Sequence, residues 1–73
     1  MQYTFSENLK YYRERRDMTK RELASRIHVN VCSIWRWENN IQYPRIDSVY
    51  SIAKVLGVTV SDLVGESKLI PDE

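Results

Sequence analysis

Between Thr19 and Glu38 the chain reads TKRELASRIHVNVCSIWRWE, two short helical patterns with three residues between them. Thr19 is a good helix N-cap, and Glu22 three residues later completes a capping box, so a helix starts at Lys20. It runs to about Ile27, with Leu23, Ala24 and Ile27 on its inner face. The linker His28-Val29-Asn30 leaves the chain no room to travel. Asn30 caps the next helix, its side-chain oxygen satisfying a free backbone N–H, and that helix covers Val31 to about Glu38. Any fold open to this chain must hold these two helices in direct succession across a tight turn.

The flanking segments repeat the pattern. Phe5, Leu9 and Tyr12 make one apolar stripe on a helix from about Ser6 to Arg16, and Asp17 interrupts it. NNIQYPR is a loop, in which Asn40 can take the left-handed backbone that ends a helix and Pro44 favours extended backbone. A fourth helix spans about Ile46 to Leu56, with Ile46, Val49, Ile52, Ala53 and Leu56 expected inward and Gly57 closing it. Thr59 caps a last short helix, with Asp62 as its capping-box partner and Leu63 pointing in. With two glycines, two prolines and no strict apolar–polar alternation, the expectation is an all-α domain of five helices over residues 1–65 and a polar tail over 66–73.

Composition narrows the function. The chain has 73 residues, enough for one small domain with a modest core. No apolar run approaches the roughly 20 residues that span a bilayer. No stretch has the basic, apolar, small-residue order of a secretion signal, so a cytoplasmic location is expected. The single cysteine, Cys32, cannot form an internal disulfide, and with one histidine, His28, it is too little for a zinc site. There is no Ser–His–Asp set, no glycine-rich phosphate loop and no metal-ligand cluster. An enzyme is therefore not expected, nor a cofactor or a small-molecule ligand.

The net charge of +1 hides an asymmetry: residues 1–45 carry nine basic and five acidic side chains, residues 46–73 two basic and five acidic. That suggests a polyanion-facing end, although charges on short helices are often only a solvated face. Trp35 and Trp37 sharpen the point. Two residues apart on a helix, they point roughly 200° from each other, so one alone can face the core. Ile34 and Trp37 share the inner face, which leaves Val31, Cys32, Trp35 and Arg36 outside. An outward Trp35 is open to three readings: a scattered surface hydrophobe, a protein contact, or a nucleic-acid contact. The order of the elements favours the third. A helix, a three-residue linker and a second helix are the order of a helix-turn-helix, whose second helix enters the DNA major groove. There Arg36 can pair with guanine and apolar side chains can meet thymine methyls. Lys20 and Arg21, opening the first helix of the pair, are placed for phosphate.

The segments LKYYRERRDMTKRELASRI, SIWRWENN, YPRIDSV and IAKVLGVTVSDLV, in this order and spacing, resemble the lambda-repressor-like, xenobiotic-response-element (Cro/C1-type) helix-turn-helix family of bacterial and phage regulators. The likeness covers about Phe5 to Val64. It implies a compact fold of five short helices, sequence-specific binding to double-stranded DNA, and transcriptional regulation, usually repression. It further implies base reading by Val31, Cys32, Ser33, Trp35 and Arg36, and phosphate contacts from Lys20, Asn30 and the loop residues Asn39, Asn40, Gln42, Tyr43 and Arg45. A buried ion pair between helix one and the end of helix three falls on Arg13 and Glu38.

The departures from the family pattern are specific. Asp17, His28 and Asn40 stand where glycine is usual. Asp and Asn tolerate left-handed backbone, whereas His28 is less easily accommodated and is read as structural or solvent-facing. Val31 and Cys32 replace polar base readers and shift the expected readout towards Arg36 and apolar contacts. Cys32 as a redox sensor has weak support, since a helix N-terminus alone supplies only part of what such a thiol needs. A homodimer on a two-fold operator is expected, with Val60, Leu63, Val64, Leu69 and Ile70 as its candidate surface and core capping as their alternative role. No dedicated oligomerisation segment is expected after residue 65, and the chain is also compatible with being one domain of a longer regulator. The competing functional class is a protein-interaction module, of antitoxin or coactivator type, using Val31, Cys32 and Trp35.

Overall fold

In a computed structural model that describes residues 4–65, the chain forms α1 (Phe5–Arg15), α2 (Lys20–Ile27), α3 (Val31–Glu38), α4 (Ile46–Leu56) and α5 (Val60–Val64). Among the described residues there is no strand. The expected tail, 66–73, lies outside the described residues, as do Leu69 and Ile70.

The helix starts are set by side chains. Thr19 accepts from the Glu22 amide while the Glu22 carboxylate accepts from the Thr19 amide, and Thr59 and Asp62 repeat the arrangement at α5. A third capping box, Thr4 with Glu7, opens α1 one residue earlier than expected. Each such cap is worth about 1 kcal/mol by the usual measure. Asn30 opens α3 by accepting from the Cys32 amide at 2.8 Å. The turns are left-handed where the sequence departs from glycine: Asp17, His28 and Asn40 have φ of 55°, 61° and 60°. His28 ends α2 and Gly57 ends α4 in that same backbone region. At Gly57 any side chain would run into the Arg16 guanidinium, which donates to the Leu56 carbonyl at 2.9 Å.

All five helices feed one core of Phe5, Leu9, Leu23, Ala24, Ile34, Trp37, Val49, Ile52, Ala53, Leu56 and Leu63. Two expectations about this core need correction. Ile46, expected inward, is 64% exposed. It is the first residue of α4 and sits at the edge of the arc that Val49, Ile52, Ala53 and Leu56 bury, so the spacing that links it to Val49 does not bring it inside. Leu63, offered as part of a dimer surface, is fully buried, with Val60 and Val64 packed partly against the same core. Helix α5 is a lid on the core because it is only five residues long and must bury its single apolar edge to persist.

Candidate nucleic-acid interface

Helix α3 divides its side chains sharply. Ile34 and Trp37 are buried, and Trp35 is 50% exposed. Cys32, Trp35, Arg36 and Asn39 are all exposed and stand three or four residues apart, so they form one outward edge. Val31 does not belong to that edge as expected. It lies three residues before Ile34, follows it inward, and packs half-buried against the core. Ser33 is also half-buried, four residues before Trp37 and on its side of the helix. Of the five expected base readers, the structure therefore gathers Cys32, Trp35 and Arg36 and sets Val31 and Ser33 at the margins.

The orientation of α3 is fixed from α1. Arg13 donates to both carboxylate oxygens of Glu38, at 2.6 and 3.1 Å, and its remaining nitrogen donates to the Met18 carbonyl at 2.6 Å. The two side chains are 7% and 2% exposed. One guanidinium thus ties α1, the α1–α2 turn and the end of α3 together. The planar fork of arginine suits this two-point contact, which lysine could not make. Sequence reasoning missed a second anchor: the buried Ser6 hydroxyl donates to the Trp37 carbonyl at 2.5 Å and lies 3.4 Å from the Asn40 side-chain oxygen. Asn8 was missed as well, its amide donating to the Leu63 carbonyl at 2.8 Å and locking α5 to α1. No sequence signal marks either residue, since both are small polar groups on a helix whose inner face is otherwise read from Phe5 and Leu9.

The loop after α3 is held by backbone. The Ile41 and Gln42 amides donate to the Arg36 carbonyl at 2.9 and 3.4 Å, and the Asn39 side chain donates to the Trp35 carbonyl at 2.8 Å. Gln42, Tyr43 and Arg45 project from this loop exposed, with the Tyr43 ring 5.0 Å from that of Phe5. At the other side of the turn, Arg21 is exposed and Lys20 half-buried. The helix geometry leaves the Lys20 and Arg21 amides without intrahelical partners, so backbone donors and cationic side chains coincide at the start of α2. The Asn30 side-chain oxygen is engaged in its cap, which leaves that residue its amide nitrogen for any further contact.

This arrangement of α2, turn and exposed helix is matched by the helix-turn-helix family over residues 9–63, three quarters of the chain. The chain belongs to the Cro/C1-type helix-turn-helix family. It is 32% identical over 66 residues to the transcriptional activator BcrR of Enterococcus faecalis, covering 90% of this chain and 32% of BcrR. It is also 32% identical over 69 residues to RstR, the cryptic phage CTXphi transcriptional repressor of Vibrio cholerae, covering 94% of this chain and 62% of RstR. The chain thus spans less than two thirds of either relative. Among solved structures, SinR in complex with SinI superposes with a TM-score of 0.82 at 27% identity, over 96% of this chain and 69% of that one. The fold also recurs within HppE, solved as its iron(II) form with substrate, with a TM-score of 0.76 at 31% identity, over 82% of this chain and 35% of that protein. Among the described residues no group of three His, Cys, Asp or Glu side chains is placed to hold a metal ion. No described helix is long and apolar enough to cross a membrane.

Proposed function

We propose that this domain, residues 1–65, binds double-stranded DNA in a sequence-specific way by laying the outward edge of α3 in the major groove, and that it regulates transcription from the cytoplasm. The observation that carries the reading is the outward edge itself: Cys32, Trp35 and Arg36 exposed on a helix whose opposite side is locked into the core. Arg36 forms no ion pair or side-chain hydrogen bond among the described residues, so its fork is available to the two acceptors of guanine. Trp35 and Cys32 supply apolar contact to thymine methyls, with Val31 and Ser33 at the rim of the contact. Lys20, Arg21, Asn30, Asn39, Gln42, Tyr43 and Arg45 set the register on the phosphates. Repression is the sense we assign, because RstR, the relative of which the chain spans the larger share, is a repressor.

Selection of bound sequences from a random duplex pool tests the assignment. The unaltered chain is expected to enrich a motif with a fixed guanine, and Arg36→Ala to lose the preference at that one position. An identical motif from both would remove Arg36 from the readout. Four basic side chains on phosphates and bases predict a slope of log affinity against log salt of roughly −3 to −4 per domain. Lys20→Ala should shallow it by about 0.9 while weakening all sequences alike.

A second reading keeps one specific support, since SinR is solved bound to a protein, SinI. Under it, Trp35 and Cys32 would dock a protein. Binding to mixed-sequence duplex that falls steeply with salt separates the two, because only the DNA contact releases counterions in this way.

A further inference from the structure

Helix α4 carries a second exposed surface, on a different element from the edge assigned to DNA. Val49, Ile52, Ala53 and Leu56 are buried, while Ile46 and Tyr50, one turn apart, are 64% and 62% exposed. Asp47, Ser51 and Lys54 are exposed beside them. Two large apolar side chains together on a domain this small are a patch rather than scatter. The DNA reading uses neither of them, nor Lys54.

We propose that this face receives a second copy of the chain, the two α4 helices lying antiparallel about a two-fold axis between Tyr50 and Ser51. In such a contact each residue meets its counterpart reciprocally. With the axis there, Asp47 of each copy falls opposite Lys54 of the other, seven residues along. Two opposite-charge pairs then flank a centre made by Tyr50 of the two copies, with Ile46 of each copy just outside the pairs. An axis one turn away in either direction sets Asp47 or Lys54 against itself, so charge selects this register among its neighbours. Asp47 keeps a carboxylate oxygen for the pairing. Its Oδ1 accepts from the Ser48 amide at 2.9 Å and lies 4.0 Å from Arg45 Nε in a solvent-exposed pair of little strength. A patch of this size falls well short of the roughly 1,600 Å² of a standard stable interface, so the association is weak and concentration-dependent. The contact does not depend on the DNA reading.

Sedimentation equilibrium of the full chain, without DNA, tests it. The mean mass should rise from one chain towards two at high concentration. Asp47→Lys and Lys54→Asp should each weaken association roughly tenfold by placing like charges across the axis, and Tyr50→Ala should abolish it. An equimolar mixture of Asp47→Lys with Lys54→Asp should associate more tightly than either alone, since unlike charges then face each other at both positions. These side chains are exposed, so each variant should retain the helical circular dichroism of the parent. A single-chain mass at every concentration would overturn the proposal. So would association in which the mixture gains nothing over its components, for that would place the contact elsewhere.

Discussion

His28 holds a left-handed backbone with φ of 61°, and it does so at the hinge between the two helices of the motif. A side chain with a Cβ pays roughly 1–2 kcal/mol for that conformation, less for Asp or Asn, whose short polar groups bond locally. His28→Gly is therefore expected to stabilise the domain by about 1 kcal/mol, raising the melting temperature by roughly 4–8 °C in a domain of this size. Asp17→Gly and Asn40→Gly should do less, and Asn40→Gly also gives up the proximity of its side chain to the Ser6 hydroxyl. Thermal melts of the three variants check the order. The three positions were legible in the sequence from the family pattern, because each stands where glycine is usual. The Ser6 and Asn8 anchors were not, because a buried serine or asparagine on a helix looks the same in sequence as an exposed one. Their partners, the Trp37 and Leu63 carbonyls, lie 31 and 55 residues away.

Among the elements, α3 is the one whose placement matters, and the Arg13–Glu38 pair places it. Removing one partner strands the other in a nearly dry site, which costs about 3–5 kcal/mol. The whole domain is expected to be stable by only about 4–11 kcal/mol, from the usual 0.05–0.15 kcal/mol per residue. Glu38→Gln should accordingly cut the urea midpoint by a third or more. The apolar double change Arg13→Met with Glu38→Leu should recover much of that loss, because no charge is then left unpaired. Urea unfolding followed by circular dichroism distinguishes this from an ordinary surface pair, which would move the midpoint little. Helix boundaries were legible to within a residue because caps are local chemistry, and the Thr4-x-x-Glu7 capping box was available in the sequence for α1 as well. The faces of α3 and α4 were legible only where the pattern is central to the buried arc. Val31 and Ile46 each stand first in their helix and at the edge of that arc. The tertiary neighbours there, which periodicity does not encode, drew the first half-inward and left the second out.

Across the molecule, the excess of basic residues before position 45 is real, but the fold spends part of it on structure. Arg13 is buried in its ion pair, Arg15 lies 5.4 Å from the Tyr11 ring centroid, and Arg16 reaches the Leu56 carbonyl. Lys20, Arg21, Arg26, Arg36 and Arg45 are what remains on α2, α3 and the following loop, and all of these but Arg26 belong with Trp35 to the surface assigned to DNA. The two tryptophans make that assignment directly testable in the unaltered sequence, through biosynthetic fluorotryptophan labelling and fluorine NMR during titration with duplex DNA. The outward position of Trp35 predicts that its resonance shifts on binding and returns as salt is raised, while the Trp37 resonance stays fixed in the core. A Trp35 resonance unmoved on a protein shown by anisotropy to be DNA-bound would contradict the account.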